Sequence, residues 1–168
     1  MRILGIDPGT RRCGYGVVEH DGRRVVYVEC GVIEMPARDP LSRRLADLSS
    51  SLAEVIEELS PGVIAVEDIF HGVDARAALV LGHARGVVLA GAGARNLDVH
   101  AYPPATVKKS VTGYGVATKA QIGAVVRALL GLRVVPRADA ADALAVAICH
   151  AHHAATLHLR AQVRARRR

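Results

Sequence analysis

The apolar residues of this chain change period near residue 40, and that change limits the folds open to it. Before it, RILGID (2–7) is a short branched run that stops at Asp-Pro-Gly, the pattern of a strand ending in a turn. GYGVVEH (14–20) and VVYVECGVIEM (25–35) then flank Asp21-Gly22, a hairpin signal, so residues 2–35 read as a three-stranded antiparallel meander. From Leu41 onward Leu45, Leu48, Leu52, Val55, Ile56 and Leu59 recur at helical spacing until Pro61-Gly62 ends the run. GVIAVE (62–67) is too short and too apolar for a surface strand and reads as a buried parallel one. A helix over 75–94, a strand over 97–102, short helices over 105–112 and 118–130, and a last helix from Ala138 to His158 complete the order. The succession β-β-β-α-β-α-β-α predicts an α/β fold: a five-stranded mixed sheet, three antiparallel strands then two parallel, with helices on both faces. Strand 1 must be central, because the later parallel strands pair beside it.

At 168 residues the chain suits one domain, and its 51% hydrophobic content excludes disorder. The longest uncharged stretch, Ala143 to Leu159, is shorter than a membrane span and carries four histidines. Residues 1–7 meet an acid too early for a signal peptide, so the expectation is a cytoplasmic protein with no membrane partner. Cys13, Cys30 and Cys149 are too scattered for a disulfide framework or a zinc site and read as reduced core residues. Net charge is +6, but Arg160, Arg164, Arg166, Arg167 and Arg168 supply five of those charges. The expected division is therefore a folded domain over 1–158 and a flexible basic tail over 159–168. Lysine is more informative than net charge. The only three, Lys108, Lys109 and Lys119, fall in one short segment.

Asp7 ends the first strand and Glu67 the fourth. If those strands are neighbours, both carboxylates leave the same edge of the sheet, where open α/β sheets place their sites. Asp139 and Asp142 stand three residues apart at a helix start and share a face. Asp139 also suits an N-cap, and Asp142 the positive end of a helix dipole. Neither role explains why Asp7 and Glu67 directly follow buried strands. Carboxylates converging on one point need a cation among them, and hard oxygen ligands select Mg²⁺ or Mn²⁺ over zinc. Such a set suits two-metal phosphoryl chemistry.

GIDPGT (5–10), AVEDIF (65–70) and DAADALAVA (139–147) resemble the signature segments of the RuvC family of Holliday-junction resolvases. LGHARGVVLA and TVKKSVTGYGVATKAQI resemble that family too, so the likeness runs over nearly all of residues 1–155 and leaves the arginine tail outside. The resemblance implies an RNase H-like nuclease domain and a homodimer that cuts four-way junction DNA in recombination and repair. It implies two Mg²⁺ per site, with Mn²⁺ as substitute, and branch-migration motor proteins as partners. By motif position it makes Asp7, Glu67, Asp139 and Asp142 the catalytic, metal-binding acids. It places Phe70 against DNA near the junction centre and gives Lys108 and Lys119 to the scissile phosphates, with Lys109 beside them.

Other residues keep two readings. Phe70, the only phenylalanine, suits a core or a stacking wedge; Arg76 suits a phosphate contact or solvent; Tyr114 suits stacking or closing a turn. Gly82, Gly86 and Ala90 form a small-residue face that suits a subunit interface or packing within the monomer. The histidines at 150, 152, 153 and 158 scatter over different helix faces, which argues against a metal tract. Three rival functions remain. An actin-like ATPase fragment would account for GIDPGT but needs two domains, for which the length leaves no room. A non-catalytic junction-binding protein would not need four intact acids. An RNase H-like nuclease acting on RNA is the third.

Overall fold

A computed structural model describes residues 1–68 and 75–165, with 155–165 described as helical backbone only. Phe70 lies outside the described residues. The elements follow in the expected order: β1 (Arg2–Asp7), β2 (Arg12–His20), β3 (Val25–Glu34), α1 (Leu41–Leu59), β4 (Val63–Glu67), α2 (Ala75–Gly93), β5 (Asp98–Tyr102), α3 (Pro104–Thr112), α4 (Lys119–Leu130) and α5 (Ala138–Ala165). They form one sheet in the order β3-β2-β1-β4-β5, with β1 central. β1 pairs antiparallel with β2 and parallel with β4, and β4 pairs parallel with β5.

β1 and β4 read as unbroken apolar runs because both of their faces are covered. Ile3, Val63 and Ala65 pack with Val107, Val111, Ile122, Val126 and Leu144 from α3, α4 and α5. The alternate residues Leu4, Ile6, Ile64 and Val66 meet Leu48, Leu52 and Ile56 of α1 and Ala84, Val88 and Ala92 of α2. At the β2–β3 hairpin, Gly22 takes φ +99 while the Asp21 carboxylate accepts the N–H groups of Arg23 and Arg24, both at 2.8 Å.

The long helix α5 lies unusually close to the sheet. A Cβ on Gly5 would stand 2.1 Å from the Ala143 carbonyl oxygen, and one on Gly14 would stand 2.0 Å from that of Asp139. A Cβ on Gly16 would stand 2.6 Å from Leu144 Cγ. Gly5 pairs with Gly16, and Gly14 with Asp7, so these glycines form a shallow seat across β1 and β2 for the start of α5. At its other end α5 continues past the expected stop at His158 to Ala165. The alanine and arginine there are strong helix formers, which the loss of apolar patterning conceals.

Candidate active site

The parallel register sets the first two acids side by side. Ile6 pairs with Val66, so Asp7 and Glu67 leave neighbouring strands at the same level. Their side chains share a hydrogen bond, which raises the Asp7 carboxyl and lowers that of Glu67. Burial raises the Asp7 carboxyl to about 8, helped by the charges of Glu67 and Asp142 and opposed by Lys119. Glu67 is raised too, by burial and then by Asp142, while Lys119 and Lys108 pull it down.

α5 brings the other pair. Asp139 lies inside its first turn, so it is not the N-cap, and Asp142 follows one turn later. Each leans on a cation: Lys119 Nζ stands 2.7 Å from Asp142 Oδ2, and Arg12 Nε stands 3.6 Å from Asp139 Oδ2. The Asp142 contact holds the Lys119 ammonium above its usual value. Lys119 is placed by a capping box: Thr118 Oγ1 accepts Gln121 N–H at 3.3 Å, and Gln121 Oε1 accepts Thr118 N–H at 2.8 Å.

The structure therefore brings Asp7, Glu67, Asp142 and Lys119 together, with Lys108 near enough on α3 to act on Glu67. Lys109, about 100° further round that helix, is exposed, and its carbonyl accepts the N–H of Gly113. Arg76 is exposed in the first turn of α2, on a different element from the lysines. All three cysteines are free, and burial pushes the Cys13 thiol up to about 12, so it stays un-ionised beside the acids.

Two parts of this arrangement escape sequence reasoning. Arg12 was not singled out, although it opens the strand that pairs with β1 at the Asp7 end. The glycine seat was not read either; its signal is the Gly-Tyr-Gly alternation of β2 opposite Gly5.

The donor set fits a hard divalent cation. It offers only carboxylate oxygens, and burial, with the charges of Glu67 and Asp142 added, raises the Asp7 carboxyl despite the nearby Lys119. No three acids form a preformed cage among the described residues. Asp142 and Asp139 are held on Lys119 and Arg12 instead, so a bound cation would displace those two.

The family model described as crossover junction endodeoxyribonuclease RuvC matches residues 3–150. A crossover junction endodeoxyribonuclease RuvC from Koribacter versatilis is 48% identical, over 94% of this chain and 96% of that one. The structure of Thermus thermophilus RuvC in complex with Holliday junction substrate superposes with a TM-score of 0.86 at 34% identity, covering 93% of this chain and 96% of that one. The yeast mitochondrial Holliday junction resolvase Ydc2 shares the fold, with a TM-score of 0.65 at 18% identity over 93% of this chain and 80% of that one.

Proposed function

This chain belongs to the RuvC family of crossover junction endodeoxyribonucleases, and on that premise we propose that Asp7, Glu67, Asp139 and Asp142 are the acids with which it cuts. It is a nuclease that resolves four-way Holliday junctions. The observation carrying the site assignment is the meeting of half-buried, mutually repelling Asp7 and Glu67 with Asp142 at one sheet edge.

Family membership implies a divalent metal. We infer two Mg²⁺ per site, replaceable by Mn²⁺, held by the four acids. Bound there, such ions supply Lewis acidity, activating water and stabilising the leaving oxygen. The residues do the rest. Asp7 would bind such an ion as its carboxylate, since a nearby positive charge opposes the burial and the acidic neighbours that raise it. The Lys119 side chain is 68% exposed while that of Asp142 is 15% exposed, so the ammonium faces outward over the acid. Freed from Asp142, it would meet an incoming phosphate, and Lys108 would add a second positive charge from the neighbouring helix. In-line attack then leaves a 5′-phosphate and a 3′-hydroxyl.

Paired symmetric cuts need two sites related by a twofold axis. α2 supplies the surface for such a homodimer. Ala84, Val88 and Ala92 bury one side of the helix, while Leu79 (64% exposed), Gly86 and Leu89 (38% exposed) lie on the opposite side. A Cβ on Gly86 would meet nothing within 4 Å. An apolar stripe left open in the monomer suits a second copy of the chain. Gly86→Glu should therefore leave the fold intact and shift light scattering from dimer to monomer; an unchanged mass would refute this interface.

Branch-migration motor proteins as partners, and a place in the cytoplasm, rest on family membership alone. Among the described residues no helix is long and apolar enough to cross a membrane.

The deciding experiment offers the protein a labelled four-way DNA junction, a linear duplex and an RNA–DNA hybrid, with and without Mg²⁺. Paired cuts confined to the junction and dependent on the ion are expected. Binding without cutting would favour a non-catalytic role, and preferential cutting of the hybrid would favour an RNA-directed enzyme.

A further inference from the structure

The connection between α3 and α4 exposes side chains that folding gives no reason to expose. Tyr114 is 57% exposed and Val116 is 88% exposed, while the next residue, Ala117, is 2% exposed and packed in the core. The two therefore project from a segment anchored immediately beside them. The anchoring is close on both sides. Gly113, with φ +86, ends α3 by donating its N–H to Lys109 O at 2.9 Å. Thr112 Oγ1 lies 2.9 Å from the carbonyl oxygens of both Lys108 and Tyr114. The Thr118–Gln121 capping box fixes the far side.

This segment lies between the two lysines of the site. Lys108 stands on α3 ahead of it, and Lys119 opens α4 behind it with its ammonium 2.7 Å from Asp142. A DNA strand whose phosphates lie along Lys108 and Lys119 has its neighbouring nucleotides over residues 113–118. The surface that meets them is a tyrosine ring and a valine, which offer no charge to a phosphate but an apolar face to a base or sugar.

We propose that Tyr114, supported by Val116, packs against the nucleotide flanking the scissile phosphate and thereby sets where along the strand the enzyme cuts. The inference rests on the junction-cutting reading and assigns a contact residue to that same site. Phosphate contacts position a strand without reading its sequence, whereas contacts to bases discriminate. The lysines then hold the backbone, and the tyrosine selects among the registers that the backbone permits.

The test uses the full chain and junctions with homologous arms, on which the branch point moves and many cut positions compete. Single-turnover cleavage and the distribution of cut positions are measured for wild type, Tyr114→Ala, Tyr114→Phe, Val116→Ala and Asp142→Asn, together with each melting temperature. Tyr114→Ala should slow cleavage roughly 5- to 100-fold, the range that loss of one base–aromatic contact implies. It should also spread the cuts over more positions without lowering the melting temperature. Tyr114→Phe should restore both rate and pattern, and Val116→Ala should act in the same sense more weakly. A Tyr114→Ala protein with wild-type rate and wild-type cut positions overturns the inference and leaves the junction-cutting reading intact. A slowed variant that keeps the wild-type cut pattern, or melts earlier, also overturns it by reducing the role to loop support. If wild type fails to cut, or Asp142→Asn cuts as well as wild type, the reading of the site falls and the inference with it.

Discussion

α5 carries two polar clusters, and desolvation acts on members of both. At its first turns stand Asp139 and Asp142, facing Asp7 and Glu67. Two turns further on, Cys149, His150 and His153 meet His100 and Tyr102 of β5. Burial favours the uncharged form in each place: it raises Asp7 to about 8, lowers His150 to about 4 and raises Cys149 to about 11. The difference lies in partners. His150 Nδ1 lies 2.8 Å from the Tyr102 hydroxyl, His152 Nδ1 lies 3.2 Å from Ser110 Oγ, and His153 Nδ1 lies 2.9 Å from the Cys149 carbonyl. Each of these histidines has a neutral partner within the protein. The acids face one another, and two of them lean on cations that an incoming ligand would displace. Burial of titratable groups therefore does not by itself mark a site. What marks one is repulsion that the fold leaves uncompensated.

The largest test of that contrast removes one acid. Asp7→Asn should cut junctions about a thousandfold more slowly or worse under single-turnover conditions, with binding within a few-fold of wild type. The same variant tests the cause of the raised carboxyl. In chelator, native Asp7 keeps a proton between pH 4 and 8 that the unfolded chain has lost, so wild-type stability falls as pH rises through that window. Asp7→Asn should remove this slope and be the more stable protein at pH 8, by at least ~1 kcal/mol in denaturant titrations. Wild-type cleavage by the variant would end the assignment.

Moving an acid without removing it should cost less. Gly14→Ala puts a methyl group where the Asp139 carbonyl oxygen now sits, 2.0 Å away. The start of α5 must lift, at ~1–3 kcal/mol of stability, and cleavage should fall on the order of 100-fold. A variant as active and as stable as wild type would show that the seat is not needed to place the acids.

At the histidine end the expected slope reverses and activity should not change. Burial, with His100, His153 and His20 nearby, keeps His150 neutral, so the unfolded chain binds the extra proton between pH 6.5 and 4. Stability is fully present above pH 6.5 and is lost as pH falls towards 4, by about 1–3 kcal/mol from this group. His150→Gln should flatten that part of the profile while cutting junctions within twofold of wild type at neutral pH. A large loss of cleavage would mean that the two clusters of α5 are not independent.

The smallest effect belongs to Arg12. Its exposed pair with Asp139 contributes ~0–1 kcal/mol to stability. Arg12→Ala should leave the melting temperature unchanged and halve, at most quarter, the Mg²⁺ concentration needed for half-maximal cleavage. A higher Mg²⁺ requirement would show that the arginine assists the metal site rather than competing for it.

Much of this was written in one dimension. Period and punctuation determined the order of elements, the central place of β1, and the strand ends on which Asp7 and Glu67 stand, because those depend on residues near in sequence. The spacing of Asp139 and Asp142 likewise put them on one face of one turn. The helix stop at His158 was misplaced because apolar patterning reports packing, and a helix continues without it. What the tertiary structure alone decided are contacts between elements whose docking no local pattern specifies. The glycine seat lets α5 approach β1 and β2, the register of β1 on β4 levels Asp7 with Glu67, and the fold of α4 onto α5 delivers Lys119 to Asp142. The same holds for the histidines: their scatter over helix faces argued against a metal tract, but the partners of His150, His152 and His153, namely Tyr102, Ser110 and the Cys149 carbonyl, come within hydrogen-bonding distance only in the fold. Carboxylates at strand ends are legible in sequence because strand ends are local features, but whether a charge finds a partner depends on distances that close only when the elements pack.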